Sequence, residues 1–296
     1  MPLDYLTFTA PVPVAEWLLN SLHSPWTNKR SMSAFYEETR RCGGITVSMP
    51  GNPNAAARVE VSGDGCRELE AAQAMTDCQP FLATLLREGA KFTRLDYALD
   101  DRTGLLCMAQ IIACCKEQRV VSRFREISFH PKVNASTGET TGAGVSLGTR
   151  GSRTYVRLYD KSLQMHVPGH WIRVEIETRK ERAHSLAKAI ARDGAQVVPP
   201  LLLGNLDFKA QGTAKKRSCW KTEAWWTTFL GTAERRRLGA APRNVSLEKK
   251  RSWLMQSVAP TFALVHDSGI GERLCEEMLV YGRQKLRYNP AEAIIS

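Results

Sequence analysis

The sequence predicts an α+β fold: a central, mainly antiparallel β-sheet with helices packed on one face, plus a basic helical C-terminal region. Three observations carry this. Several strand-like runs follow one another without a helix between them, which favours antiparallel pairing over the strand–helix alternation of parallel sheets. Three of those runs alternate apolar and charged residues. Basic charge is concentrated in the middle and late parts of the chain.

The elements follow in order. Leu3–Thr9 alternates as a strand, and Val12–Leu22 has a helical pattern. Gly44–Met49 and Arg58–Ser62 read as short strands. Arg67–Arg87 is rich in Leu, Ala, Glu and Gln and predicts a helix that Pro80 kinks or divides. Phe92–Asp100 is a strand, Gly104–Gln118 a helix and Val120–Ser128 a strand. Asn134–Gly144, rich in Gly, Thr and Ser, predicts a hairpin loop. Val145–Thr149, Tyr155–Lys161 and Trp171–Arg179 follow as strands, and Arg182–Arg192 as a helix. Further helices are predicted over Ala214–Phe229, Leu247–Val258 and Gly271–Leu286. The Pro199-Pro200 pair suggests a boundary between a catalytic α+β domain, 1–200, and a basic, Trp-rich helical region, 201–296. That region either binds DNA or packs against the first domain.

The 296 residues include 43% hydrophobic residues, enough for a packed core and against disorder. No apolar run approaches the ~18–20 residues of a membrane span. The N-terminus lacks the features of a secretory signal. The eight cysteines are irregularly spaced, without a Cys-x-x-Cys pair, and read as reduced packing thiols of a cytoplasmic protein. A net charge of +11 suggests a polyanionic partner. Its distribution is uneven. Residues 1–90 hold 7 basic and 10 acidic residues, whereas 205–255 hold 12 and 4. That late stretch includes Lys215, Lys216, Arg217, Lys221, Arg235, Arg236, Arg237, Lys249, Lys250 and Arg251, candidate phosphate contacts. Its tryptophans read as core anchors, with base stacking as the alternative. A Walker-type phosphate loop is absent, so strand separation would need a separate helicase.

Side chains alternate faces along a strand. Arg94, Asp96 and Asp100 share one face of the first charged strand, opposite Leu95, Tyr97 and Leu99. Arg157, Tyr159 and Lys161 share a face of the second. Arg173, Glu175, Glu177 and Arg179 share a face of the third, opposite Ile172, Val174 and Ile176. If the three strands pair, the charged faces meet on one surface; a solvated sheet face is the plain alternative. The carboxylates Asp96, Asp100, Glu175 and Glu177 are hard oxygen donors suited to Mg²⁺ or Mn²⁺. Tyr159 is the first candidate nucleophile, with Tyr155, Tyr97, Tyr36 and Tyr5 as alternatives, and Lys161 lies beside it to favour the phenolate or hold phosphate. Arg94, Arg157, Arg173 and Arg179 can hold phosphates or pair with the carboxylates. His130, His166 and His170 read as structural, and no His-hydrophobe-His motif is present.

Phe92–Asp101, Val156–Lys161 and Trp171–Arg179, in that order and spacing, resemble a known family. It is the replication initiation factors of filamentous phages and of rolling-circle plasmids of the trans-acting Rep type, with MobT-like conjugative relaxases as relatives. Val61–Cys66 and Leu3–Phe8 also resemble family segments. The resemblance implies a site-specific, metal-dependent nick at a replication origin. Tyr159 would form a 5′-phosphotyrosyl link, and the freed 3′-hydroxyl would prime a polymerase. Asp96, Asp100 and Glu175, then Glu177, would be the metal ligands. The implied partners are single-stranded or supercoiled origin DNA and a bacterial host's helicase and polymerase. No membrane partner is expected, and a homodimer is left open. A noncatalytic DNA-binding regulator and a conjugative relaxase are the alternatives.

Overall fold

The computed structural model describes residues 3–22, 25–29, 35–52, 54–231, 251 and 254–286. Contacts divide the chain into two units, 1–241 and 242–296. The boundary expected after residue 200 falls inside a helix, Val198–Asn205, whose Leu201 and Leu202 are buried in the first unit's core.

In the first unit, strand β1 (Leu3–Ala10) is followed by helix α1 (Val12–Ser21), then β2 (Thr27–Lys29), β3 (Glu38–Cys42), β4 (Ile45–Met49) and β5 (Ala57–Val61). Helices α2 (Gly63–Ala71) and α3 (Cys78–Arg87) precede the long strand β6 (Lys91–Asp101). Then come α4 (Met108–Lys116), β7 (Val120–Ser122), β8 (Ile127–Phe129), β9 (Lys132–Val133), β10 (Thr140–Gly142) and β11 (Gly144–Leu147). The series continues with β12 (Thr154–Asp160), α5 (Lys161–Met165), β13 (Ile172–Arg179), α6 (Glu181–Asp193), α7 (Val198–Asn205), β14 (Leu206–Phe208) and α8 (Ala224–Leu230). In the second unit, helices span Ala259–Val265 and Gly271–Leu286. No described helix is long and apolar enough to cross a membrane.

Ten strands form one sheet in the order β2-β3-β4-β5-β1-β6-β13-β12-β11-β8, and every pairing in it is antiparallel. The alternation in β6, β12 and β13 sends Leu95, Tyr97, Val156, Leu158, Val174 and Ile176 into one core. Helices α3 and α6 close that core with Phe81, Leu82, Leu85, Leu186, Ala187 and Ile190. Burying each such side chain stabilises the fold by ~1.5–3 kcal/mol. Trp226 and Phe208 pack edge to face within the core, centroids 5.1 Å apart, so this tryptophan anchors the chain. All eight cysteines are free thiols, five of them buried.

Three differences from the sequence expectation have local causes. The helix expected over Arg67–Arg87 is two helices. Gln73 turns left-handed at φ 57°, and the Asp77 carboxylate then caps α3 by accepting from Gln79 N at 2.9 Å, with Pro80 in the first turn. Val120–Ser128 is likewise two strands, because β7 leaves the large sheet to pair with β14. Of the helix expected over Ala214–Phe229, only α8 forms. Long-range contacts pin the segment before it: Ala210 N donates to Lys221 O, and the Lys209 ammonium to Trp220 O at 3.0 Å.

Candidate active site

Strands β6, β13 and β12 are consecutive in the sheet, so the charged rows identified by parity do meet. Glu177 faces Asp96 on one side and Tyr155 on the other. Arg173 faces Asp100 and Tyr159, and Glu175 faces Ala98 and Arg157. The result is not a solvated face. Asp96 and Glu175 are each 1% exposed and Glu177 5%, although isolated carboxylates in such surroundings would be costly.

Guanidinium groups offset that cost. Arg94 forks onto Asp96 at 3.0 and 2.6 Å and reaches Glu177 at 3.1 Å, while Arg179 also pairs with Glu177. Arg173 forks onto Asp100 at 2.7 and 2.8 Å and donates to Asp4 at 2.8 Å. Arg157 lies 2.5 Å from Glu175. Compensation is incomplete at the centre. Burial pushes the Asp96 carboxyl up to about 7 against the opposing pull of Arg94, and burial also raises Glu175 despite Arg157. Asp100, at the exposed end of the row, is lowered instead, because hydrogen bonds from Arg173 and Trp171 outweigh burial.

Tyr159 sits inside this network. Its hydroxyl donates to Glu175. Burial raises its pKa, and the Glu175 charge and hydrogen bond raise it further, so the phenol is protonated at neutral pH. A cavity of about 400 Å³ opens beside it, lined among others by Lys132, Arg150, Arg157 and His130. The strand expected to run through Lys161 ends one residue earlier. The Asp160 carboxylate accepts from Leu163 N at 2.9 Å and starts helix α5, which puts Lys161 on that helix. The Lys161 ammonium donates to Gln164 at 2.8 Å and lies 5.6 Å from the Tyr159 ring centre. Burial, then the Arg173 charge, lower its pKa.

The four carboxylates expected to bind metal do share the face, but each is engaged by an arginine, and Arg94 bridges Asp96 and Glu177. Among the described residues, no three His, Cys, Asp or Glu side chains converge as a metal cluster. The histidines have structural tasks: His170 pairs with Asp101 at 2.9 Å, His130 with Ser146 at 2.7 Å, and His166 ends α5 in a left-handed turn at φ 53°.

Of the late basic residues, Lys215, Lys216, Arg217 and Lys221 are exposed on the loop before α8, and Arg251 is exposed in the second unit. Arg235, Arg236, Arg237, Lys249 and Lys250 lie outside the described residues. Sequence reading misses two site residues, Asp4 and Trp171, and assigns a third, Tyr5, only as an alternative nucleophile. Asp4 holds Arg173, the Tyr5 ring lies 3.9 Å under the Arg94 guanidinium, and Trp171 donates to Asp100 at 2.8 Å. The first two sit in an opening strand whose alternation a register shift between Leu3 and Tyr5 interrupts.

Comparison with known proteins bears on the fold and the family. Residues 90–279 match the family profile described as replication initiation factor, Rep_trans. The chain is 27% identical over 243 residues to the protein assigned as DNA relaxase NicK in Bacillus subtilis (strain 168), covering 76% of this chain and 68% of that protein. Among solved structures, it is similar to the rolling circle replication initiator protein from Geobacillus stearothermophilus. The TM-score is 0.70 at 25% identity, over 80% of this chain and 97% of the other. The chain belongs to the replication initiation factor family.

Proposed function

We propose that this chain nicks one strand of origin DNA as a rolling-circle replication initiator, and rejoins it later, through a covalent link to Tyr159. The carrying observation is that the Tyr159 hydroxyl donates to buried Glu175 on a face between Arg157 and Arg173. The names of the relatives, a DNA relaxase and a rolling-circle initiator, support the reading.

The chemistry follows from the residues. Tyr159 Oη attacks the scissile phosphorus while its proton passes to Glu175, the raised carboxylate that already accepts it. The new Oη–P bond replaces the bond from phosphorus to the 3′ oxygen. That oxygen leaves as a hydroxyl, and Lys161 is the ammonium beside the ring for its proton. Arg157, whose buried Nε meets no acceptor among the described residues, and Arg173 hold the charge that builds on the phosphoryl oxygens. Rejoining is the reverse attack by a 3′-hydroxyl.

Asp96 and Glu175 fit a hard divalent cation in their chemistry, since both carboxylates are buried and raised despite their arginines. Asp96 and Glu175 would hold Mg²⁺ or Mn²⁺, with Glu177 and Asp100 as further carboxylates on the same face. Such an ion polarises a phosphodiester oxygen. Host helicase and polymerase, and a cytoplasmic site of action in a bacterial host, belong to the same reading. A conjugative relaxase would share every step and differ in its DNA site. The buried state of the face argues against a noncatalytic regulator with a solvated sheet. The test is incubation with supercoiled DNA carrying the candidate origin and Mg²⁺ or Mn²⁺. Nicked circles with a protein–DNA adduct on a denaturing gel are expected; DNA binding without nicking under either metal contradicts the proposal.

A further inference from the structure

A second cavity, of about 370 Å³, lies away from the carboxylate face. Four arginines line it: Arg123 and Arg125 from the loop between β7 and β8, Arg153 from the loop before β12, and Arg182 from α6. Among the described residues that line it, the only carboxylate is Glu126. This is the opposite of the Tyr159 face, where Arg94, Arg157, Arg173 and Arg179 each have a carboxylate partner.

The fold holds the cluster in place. Arg182 donates to Thr154 Oγ1 at 2.7 Å. Burial, then the charges of Arg123 and Arg153, lower its pKa, the mark of like charges held together. Gly148 has φ +90°, and a Cβ there would come within 2.9 Å of the Phe124 ring, so the loop after β11 packs directly onto the segment carrying Arg123 and Arg125. Thr149 and Ser152 hydroxyls, 2.8 Å apart, complete the polar lining.

Four guanidinium groups around one cavity are a site for phosphate oxygens. Resting on the nicking function proposed above, we infer that this cavity grips the DNA backbone away from the cut. Thr154 and Tyr159 lie near opposite ends of β12, five residues and therefore ~17 Å apart. That distance is about five nucleotide steps of duplex at 3.4 Å per phosphate along one strand. The clamp would hold the origin while Tyr159 engages the scissile phosphate.

Fluorescence anisotropy across a salt series, with a labelled duplex of mixed sequence and the full chain, tests this. The doubly substituted Arg123→Gln, Arg153→Gln protein is expected to bind more weakly, with a salt slope lower by about two. The Arg123→Lys, Arg153→Lys protein is expected to keep the slope, and so is Arg87→Gln, an exposed arginine elsewhere. An unchanged slope in the Gln protein overturns the inference, as does an equal loss in the Lys protein or the Arg87 control. A melting-temperature rise on pyrophosphate that the Gln protein lacks, with its DNA slope unchanged, identifies a free-phosphate site and also overturns it. Wild-type protein that binds duplex but forms no adduct contradicts the nicking function alone; a failed slope change contradicts the clamp alone.

Discussion

In the proposed chemistry, Glu175 is the residue on which proton transfer turns. It is buried, it accepts the Tyr159 proton, and its pKa is raised by burial. A base must be deprotonated to act, so nicking should rise with pH through a value above the ordinary carboxylate range. Glu175→Gln should remove that limb and lower the nicking rate by ~10²–10⁴, read from single-turnover pH–rate profiles. Asp96 gives a stability prediction with the opposite slope. Its pKa is 3.8 in a free side chain and about 7 here, because burial outweighs Arg94. Between those values the folded chain binds the extra proton, so the Asp96 contribution falls as pH rises through that window. Asp96→Asn should flatten the melting-temperature profile there, at about 1.4 kcal/mol per pK unit. Both residues were legible in the sequence as members of the charged faces of two strands. Their burial was not, because alternation reports which residues share a face and not what covers it.

Among the elements, the start of α2 lies close against the turn that leads into β4. A Cβ on Gly44 would lie 2.2 Å from Gly65 N and 2.4 Å from Ser62 Oγ, and both neighbours belong to the start of α2. Gly44→Ala should therefore cost ~1–3 kcal/mol of stability, measured by urea unfolding. The same elements show where sequence reading succeeds. Strands β6, β12 and β13 were legible because each presents a strict two-residue period to a single core. β3, Glu38-Thr-Arg-Arg-Cys, has no such period and is held by register with β4. The residues before α8 have helical composition, yet Lys209 and Trp220 fix them in another path. Asp4 lies beside a register shift, so parity could not assign it to the face.

At the scale of the whole molecule, the net charge of +11 resolves into two different arrangements. On the Tyr159 face, arginines pair with carboxylates, most of them buried. In the arginine cavity and on the loop bearing Lys215, Lys216, Arg217 and Lys221, positive charge is left to meet phosphate. The two proposals therefore place cutting and holding in different parts of one sheet-based unit. The claim at the centre is that Tyr159 becomes covalently bonded to the 5′ phosphate of the cut strand. Mass spectrometry of tryptic peptides from the adduct formed on origin DNA tests it most directly. The expected result is a nucleotide-bearing peptide containing Tyr159, and a Tyr159→Phe protein that binds DNA but forms no adduct. An adduct on another residue, or full nicking by the Phe protein, would contradict it.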